Sequence, residues 1–219
     1  MRRRSEELDL DRYDTDKVPN GYLRTYDRIF EELIDRPVKL LEVGVRSGGS
    51  LRLWRDYFPN GTIAGLDVEP LASEPDGDRI RIYQGRQEDT SVLSRIAAEV
   101  APDGFDIVID DASHIAGPTR AGFWHLFDNH LKPGGLFAIE DWGTGYWERW
   151  PDGRAWRAGE PHHAGMVGFI KELIDEQGAH DLTRGWYDEP WQRNSRFESI
   201  LLVSSIAIVT RKLEAGQRA

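Results

Sequence analysis

Residues Val38 to Ser50 read VKLLEVGVRSGGS. An apolar run interrupted by Lys39 and Glu42 reaches Gly44 and Val45, and Ser47, Gly48, Gly49 and Ser50 follow. Such a run reads as a buried strand, and Ser50 to Phe58 then reads as a helix. Glycines between a first strand and a first helix let a ligand approach the backbone, and the helix N-terminus favours an anionic group.

Working outward, Asn20 to Arg36 has apolar residues at three- and four-residue spacings and predicts a helix that Pro37 stops. Downstream, strands are expected at Thr62–Glu69, Arg79–Gly85, Phe105–Asp111 and Leu136–Trp142, with helices at Thr90–Val100 and Pro118–Leu131 between them. Alternating strands and helices imply an α/β fold, a mostly parallel sheet with helices on both faces. Residues 143–164 are rich in Gly, Pro and Trp without a period and predict a lid loop. A helix is expected at Met166–Gln177, then an antiparallel C-terminal hairpin from Arg196–Val203 and Ser205–Lys212, then a frayed tail at 213–219. The expected organisation is an N-terminal segment over 1–36 covering the ligand site and a single α/β domain over 37–212.

The chain of 219 residues has a formal net charge of −10 and no cysteine. The charge argues against nucleic acid as a partner, and the missing cysteine excludes disulfides and thiolate metal sites. No run approaches the roughly 18 apolar residues of a membrane span. Arg2, Arg3 and Arg4 lack an apolar stretch behind them, so no signal peptide is expected. A cytoplasmic protein that does not engage a membrane is the expectation.

Asp67 closes the second strand, where an acid is placed to bind ribose hydroxyls. A dinucleotide turn would need a glycine where Arg46 stands, which disfavours an NAD-linked protein. The spacing Gly44-xxx-Gly48-Gly49, led by Glu42, resembles motif I of the class I S-adenosylmethionine-dependent methyltransferases. That resemblance implies a Rossmann-like sheet, with Glu42, Gly44, Ser47, Gly48, Gly49 and Ser50 around the methionine part of the cofactor and Asp67 on its ribose. Gln87, Glu88 and Asp89 follow the third strand and are candidates for the adenine edge; for Asp89, capping of the next helix is an equal reading.

The fourth strand ends in Asp110 and Asp111, and the fifth in Glu140 and Asp141. In such folds the carboxyl ends of the strands face the ligand crevice. Four converging carboxylates would raise one another's pKa, and a hard divalent cation, magnesium, calcium or manganese, would relieve them. Alternation gives Asp110 and Asp111 different faces, one toward the cofactor and one toward the metal. His114 suits a general base. His162 and His163 in the lid are runners-up for that role, whereas His125 and His130 read as structural.

IDDASH together with GGLFAIEDWGTGYW resembles the metal-dependent sugar O-methyltransferases of macrolide biosynthesis, of the mycinamicin and macrocin type. The cephalosporin hydroxylase family shares the DDASH and ED elements. Thr15-Asp16-Lys17, Gly21-Tyr22 and Tyr26 fit the same group, so the likeness runs from about Thr15 to Lys212. It implies that Asp111, Glu140 and Asp141 bind Mg2+, that His114 is the base for a sugar diol held at the metal, and that Asp110 sits nearer the cofactor. Catechol-type O-methyltransferases place a lysine where this chain has His114 and an Asp-Asn pair where it has Glu140-Asp141.

Trp142, Tyr146 and Trp147 offer faces for a sugar ring; Trp150 and Trp156 fit lid packing equally well. The acceptor implied is a small molecule bearing a sugar, or a saccharide end. A cephalosporin-hydroxylase-like or catechol-type role on a non-sugar small molecule is the alternative, and a non-catalytic nucleoside-binding scaffold would have no use for clustered acids. The macrolide enzymes carry a further N-terminal domain that helps assembly, so acceptor identity and a homo-oligomeric state stay open at this point.

Overall fold

A computed structural model of the chain describes residues 2–69, 78–186, 188–190 and 192–213. Most of the expected tail therefore lies outside the described residues. Seven strands form one sheet: β1 (Lys39–Val43), β2 (Thr62–Asp67), β3 (Ile80–Gln84), β4 (Phe105–Asp110), β5 (Leu131–Glu140), β6 (Phe197–Val203) and β7 (Ile206–Arg211). Their order is β3-β2-β1-β4-β5-β7-β6. The first five are parallel, and β7 and β6 add antiparallel at the edge. The order reverses between β1 and β4, where a doubly wound sheet opens its ligand crevice.

Two apolar layers sandwich the sheet. One face carries Leu41, Val43, Val108, Phe137 and Ile139 against α3 (Thr90–Val100), α4 (Ala116–Asn129) and α5 (Gly165–Gln177). The other carries Leu40, Ile107, Ile109 and Ala138 against α1 (Leu23–Phe30) and α2 (Gly49–Tyr57). On that second side Tyr26, Phe30, Trp54, Tyr57 and Phe58 interlock, with Tyr26 stacked on Phe30 at 5.0 Å and edge-on to Trp54 at 5.3 Å. A final short helix, α6 (Ala179–Leu182), follows α5.

Some boundaries differ from expectation for local reasons. The helix expected from Asn20 begins only at Leu23, because Gly21 adopts φ 71° in the turn before it, and the chain tightens to a 3-10 turn at Glu31–Leu33. The helix expected to run to Leu131 ends at Asn129, and Leu131 to Gly135 instead belong to β5, which was expected from Leu136. Leu131 pairs with Phe105, and a register shift between Phe105 and Ile107 absorbs the kink at Gly134, whose φ is 77°. The expected lid holds one 3-10 turn, Trp142–Tyr146. The rest is pinned to the body: Asp152 accepts from the Ala116 N–H at 2.8 Å, and the Trp150 indole donates to the His114 carbonyl at 2.9 Å.

Candidate active site

Strand alternation sorts the acids. Glu42 follows Leu40 on β1, Asp111 follows Ile109 just past β4, and Glu140 follows Ala138 on β5. All three continue the face that packs on α1 and α2. Asp110 takes the opposite face, where Gln87 Nε2 lies 3.4 Å from its carboxylate and the Ala112 N–H 3.3 Å from it. Burial pushes the Asp110 carboxyl up to about 7, against the backbone N–H of Ala112.

Lys17 joins the three acids of the first face. Its side chain is 0% exposed, and Nζ lies 2.6 Å from Asp111 Oδ2, 2.8 Å from Glu140 Oε2 and 3.2 Å from Glu42 Oε1. Burial works to discharge this lysine, but Glu140, Glu42 and Asp111 outweigh burial and hold its pKa well above the usual value. One ammonium does not neutralise three carboxylates. Burial and Glu140 raise the Asp111 pKa despite Lys17, and burial raises that of Glu140. Tyr26 donates to the second Glu140 oxygen at 2.5 Å, while Ser50 at 2.5 Å and Trp54 at 3.2 Å donate to Glu42.

In front of this network, Asp111, His114 and Asp141 bring one ligand atom each within 4.8 Å of one another. His114 Nε2 is 3.9 Å from Asp111 Oδ1 and 3.8 Å from Asp141 Oδ2. Burial lowers the His114 pKa, opposed by Asp141, so at neutral pH its imidazole is free to accept a proton. The other Asp141 oxygen accepts a hydrogen bond from the Tyr22 phenol. The two carboxylate oxygens, with an uncompensated negative excess behind them, suit a hard divalent cation, and the His114 nitrogen beside them suits a base. Glu140, expected among the metal ligands, stands behind the trio, where Lys17 and Tyr26 donate to its two oxygens.

A cavity of 420 Å3 opens beside this trio. Gly44, Ser50, Asp67, Gln87, Asp111 and His114 are among the residues that line it, and Asp14 to Asp16 cover it from the N-terminal segment. Its size suits a small-molecule cofactor. Asp67 turns one oxygen back to the Val45 and Arg46 N–H groups at 2.8 and 2.9 Å, bracing the glycine turn. Gln87 ties its loop to α4 and to the loop after β4, donating to Thr119 at 3.1 Å and accepting from the Ser113 N–H at 3.0 Å.

The other candidate residues also have partners within the chain. Gly49 leaves room for the Asp14 backbone, and Ser47 reaches the Asp14 carbonyl at 3.3 Å. Gly48 supplies the left-handed residue before α2, at φ 77°. Asp89 caps α3 through the Ser91 and Val92 N–H groups, and Glu88 pairs with Arg86 at 2.6 Å. Trp142 donates to the Val203 carbonyl at 3.2 Å, and Tyr146 packs on His162 with ring centres 4.8 Å apart. Trp147 is an exposed indole beside Asp141. His162 bonds the Arg154 carbonyl, His163 is exposed, and His125 and His130 share Ser94. Sequence reasoning missed Lys17 as a partner of the acids; its one signal was the Thr15-Asp16-Lys17 likeness.

No family model matches the chain. The mycinamicin VI 2''-O-methyltransferase of Micromonospora griseorubida is 44% identical over 158 residues, 68% of this chain and 38% of that protein. An 8-demethyl-8-(2-methoxy-alpha-L-rhamnosyl)-tetracenomycin-C 3'-O-methyltransferase of Streptomyces olivaceus is 39% identical over 69% of this chain and 39% of its own length. This chain thus spans less than two fifths of the length of either relative. Among solved structures, the MycE methyltransferase of the mycinamycin pathway, in complex with Mg, SAH and mycinamycin VI, superposes with a TM-score of 0.72 at 35% identity, over 90% of this chain and 51% of that one. The chain has the class I methyltransferase fold and is a homologue of the sugar O-methyltransferases of macrolide and related natural-product biosynthesis.

Proposed function

We propose that the chain is a magnesium-dependent O-methyltransferase that methylates a sugar hydroxyl of a glycosylated small molecule, with S-adenosylmethionine as donor. The observation that carries this reading is the trio Asp111, His114 and Asp141 at the edge of the 420 Å3 cavity that Gly44, Asp67 and Gln87 line. The relatives named above, one of them solved with Mg and SAH, support it.

When bound, the donor would supply a methyl group whose bond to sulfur breaks as a bond to the sugar oxygen forms, and the cation would supply positive charge against that oxygen. Asp111 and Asp141 would hold the cation, with Glu140 braced behind them by Lys17 and Tyr26. His114 takes the hydroxyl proton on Nε2, which keeps the charge balanced as the sulfonium becomes a neutral thioether. Asp67 and Gln87 orient the nucleoside, and the Asp14–Asp16 stretch shields the cleft from water. In this reading residues 37–212 form the methyltransferase domain, residues 1–36 its cover, and residues 143–164 its acceptor-side loop.

The test is transfer of labelled methyl to a panel of methyl glycosides by the full chain. Transfer should need Mg2+ and stop in chelator, and His114→Ala should lower kcat by about 10²–10⁴-fold. Full turnover in chelator would remove the cation from the reading, and no transfer to any glycoside would remove the sugar.

A further inference from the structure

We propose that His125, His130 and Ser94 form a site for a divalent transition metal of the zinc, nickel or copper type. His125 lies near the end of α4 and His130 directly after it, and Ser94 reaches them from α3. The next residue, Leu131, begins β5, which carries Glu140 at its far end. The His130 carbonyl also accepts from the N–H of Phe105, the first residue of β4, at 2.7 Å. The pair therefore sits at the end of the sheet away from Asp111, Glu140 and Asp141, and takes no part in the methyl transfer.

Convergence is the first argument. Both Nε2 atoms point at one oxygen: Ser94 Oγ is 2.8 Å from His125 and 3.1 Å from His130, and the ring centres are 5.1 Å apart. A serine hydroxyl has one proton and can donate it to only one of two imidazoles. The other ring must then turn its own N–H toward the same oxygen. A metal ion at that point lets both nitrogens present lone pairs. Metal–imidazole bonds of about 2.0–2.1 Å draw the two rings slightly inward, the Ser94 hydroxyl stays beside the ion, and solvent completes the coordination at this partly exposed position.

Electrostatics is the second. Burial lowers the His125 pKa, opposed by the Thr90 backbone, and burial together with His125 lowers that of His130. At neutral pH both rings are uncharged, which is the form that ligates metal. The carbonyl end of α4 favours positive charge there. Imidazole nitrogens suit zinc, nickel and copper, whereas magnesium takes oxygen. The chain would thus separate two cations by ligand chemistry, oxygen-rich at the strand ends and nitrogen-rich behind α4.

The experiment titrates Zn2+ into the full chain in saturating Mg2+, with calorimetry for affinity and heteronuclear NMR of the imidazole nitrogens for location. The His125 and His130 rings should shift together as Zn2+ is added. His125→Gln and His130→Gln should each weaken this binding roughly 100-fold, and Ser94→Ala about tenfold, since loss of an orienting partner costs about 10–100-fold in metal affinity. Mg2+ affinity should not change in any of the three. Wild-type Zn2+ affinity in both glutamine variants overturns the site, as do His125 and His130 resonances that stay still while the His114 ring moves. The ring shifts are read on the wild-type chain, so they decide the matter even where a variant folds poorly.

Discussion

Lys17 shows how one side chain can set the electrostatics of a site. Among the described residues it is the one cation in contact with all of Glu42, Asp111 and Glu140, and it reaches them from a segment that precedes β1. By holding Asp111 Oδ2 at 2.6 Å it leaves Oδ1 directed toward His114. Lys17→Met keeps most of the volume and removes the charge, leaving three carboxylates facing one another in a buried layer. Removing one partner of a buried ion pair costs about 3–5 kcal/mol. A urea unfolding series should show a loss of that size, and a variant as stable as wild type would mean that the carboxylates are relieved by some other means. The acids themselves were legible in the sequence, because strand alternation and strand ends are local properties of the chain. Lys17 was not, since its role exists only through contacts 94 and 123 residues away along the chain, to Asp111 and Glu140. The same holds for Tyr22 and Tyr26, which read as one apolar helix stripe but end in phenols aimed at Asp141 and Glu140.

Among the elements, the glycine turn does more structural work than its motif suggests. Of its glycines, Gly44 passes against the Asp111 backbone and Gly49 against the Asp14 backbone, so each sits where two chain segments touch. A methyl group at Gly49 would run into the Asp14 carbonyl. Gly49→Ala should push the N-terminal segment outward, costing about 1–3 kcal/mol as an overpacked contact does. Because Asp14 to Asp16 line the 420 Å3 cleft proposed to hold the methyl donor, the same variant should weaken S-adenosylhomocysteine binding in a calorimetric titration. Loss of stability with unchanged affinity would separate the strap from the cleft. The alternation of strands and helices was readable because buried parallel strands are continuous apolar runs closed by turn residues. The starts of α1 and β5 were not, since glycine takes either sign of φ and the sequence does not say that Gly21 and Gly134 take the positive one. The loop after β5 read as a lid for lack of a period, and hydrogen bonds involving Ala116 and Trp150 tie it to the start of α4 and to His114.

At the scale of the whole molecule, the 420 Å3 cleft lies where the strand order turns between β1 and β4, and Asp14 to Asp16 of the N-terminal segment line it as well. Residues from the first strap, from β1, from β2 and from the β4 loop therefore line one cavity. A ligand seated there touches parts of the chain that separate completely on unfolding, so it binds the folded state alone. Linkage then fixes the effect: at a ligand concentration 100 times Kd the folded state gains about 2.7 kcal/mol. For a chain of this size each kcal/mol raises Tm by about 2–4 °C, so S-adenosylhomocysteine should raise the midpoint by about 5–10 °C. NAD should not, since Arg46 fills the place where a pyrophosphate would need glycine. Mg2+ should add a further increment that chelator reverses and that Asp111→Asn or Asp141→Asn abolishes, because these two carboxylates converge with His114. A midpoint moved by NAD as much as by S-adenosylhomocysteine would assign the cleft to a different nucleotide. A magnesium increment that survives both substitutions would move the cation away from the strand ends.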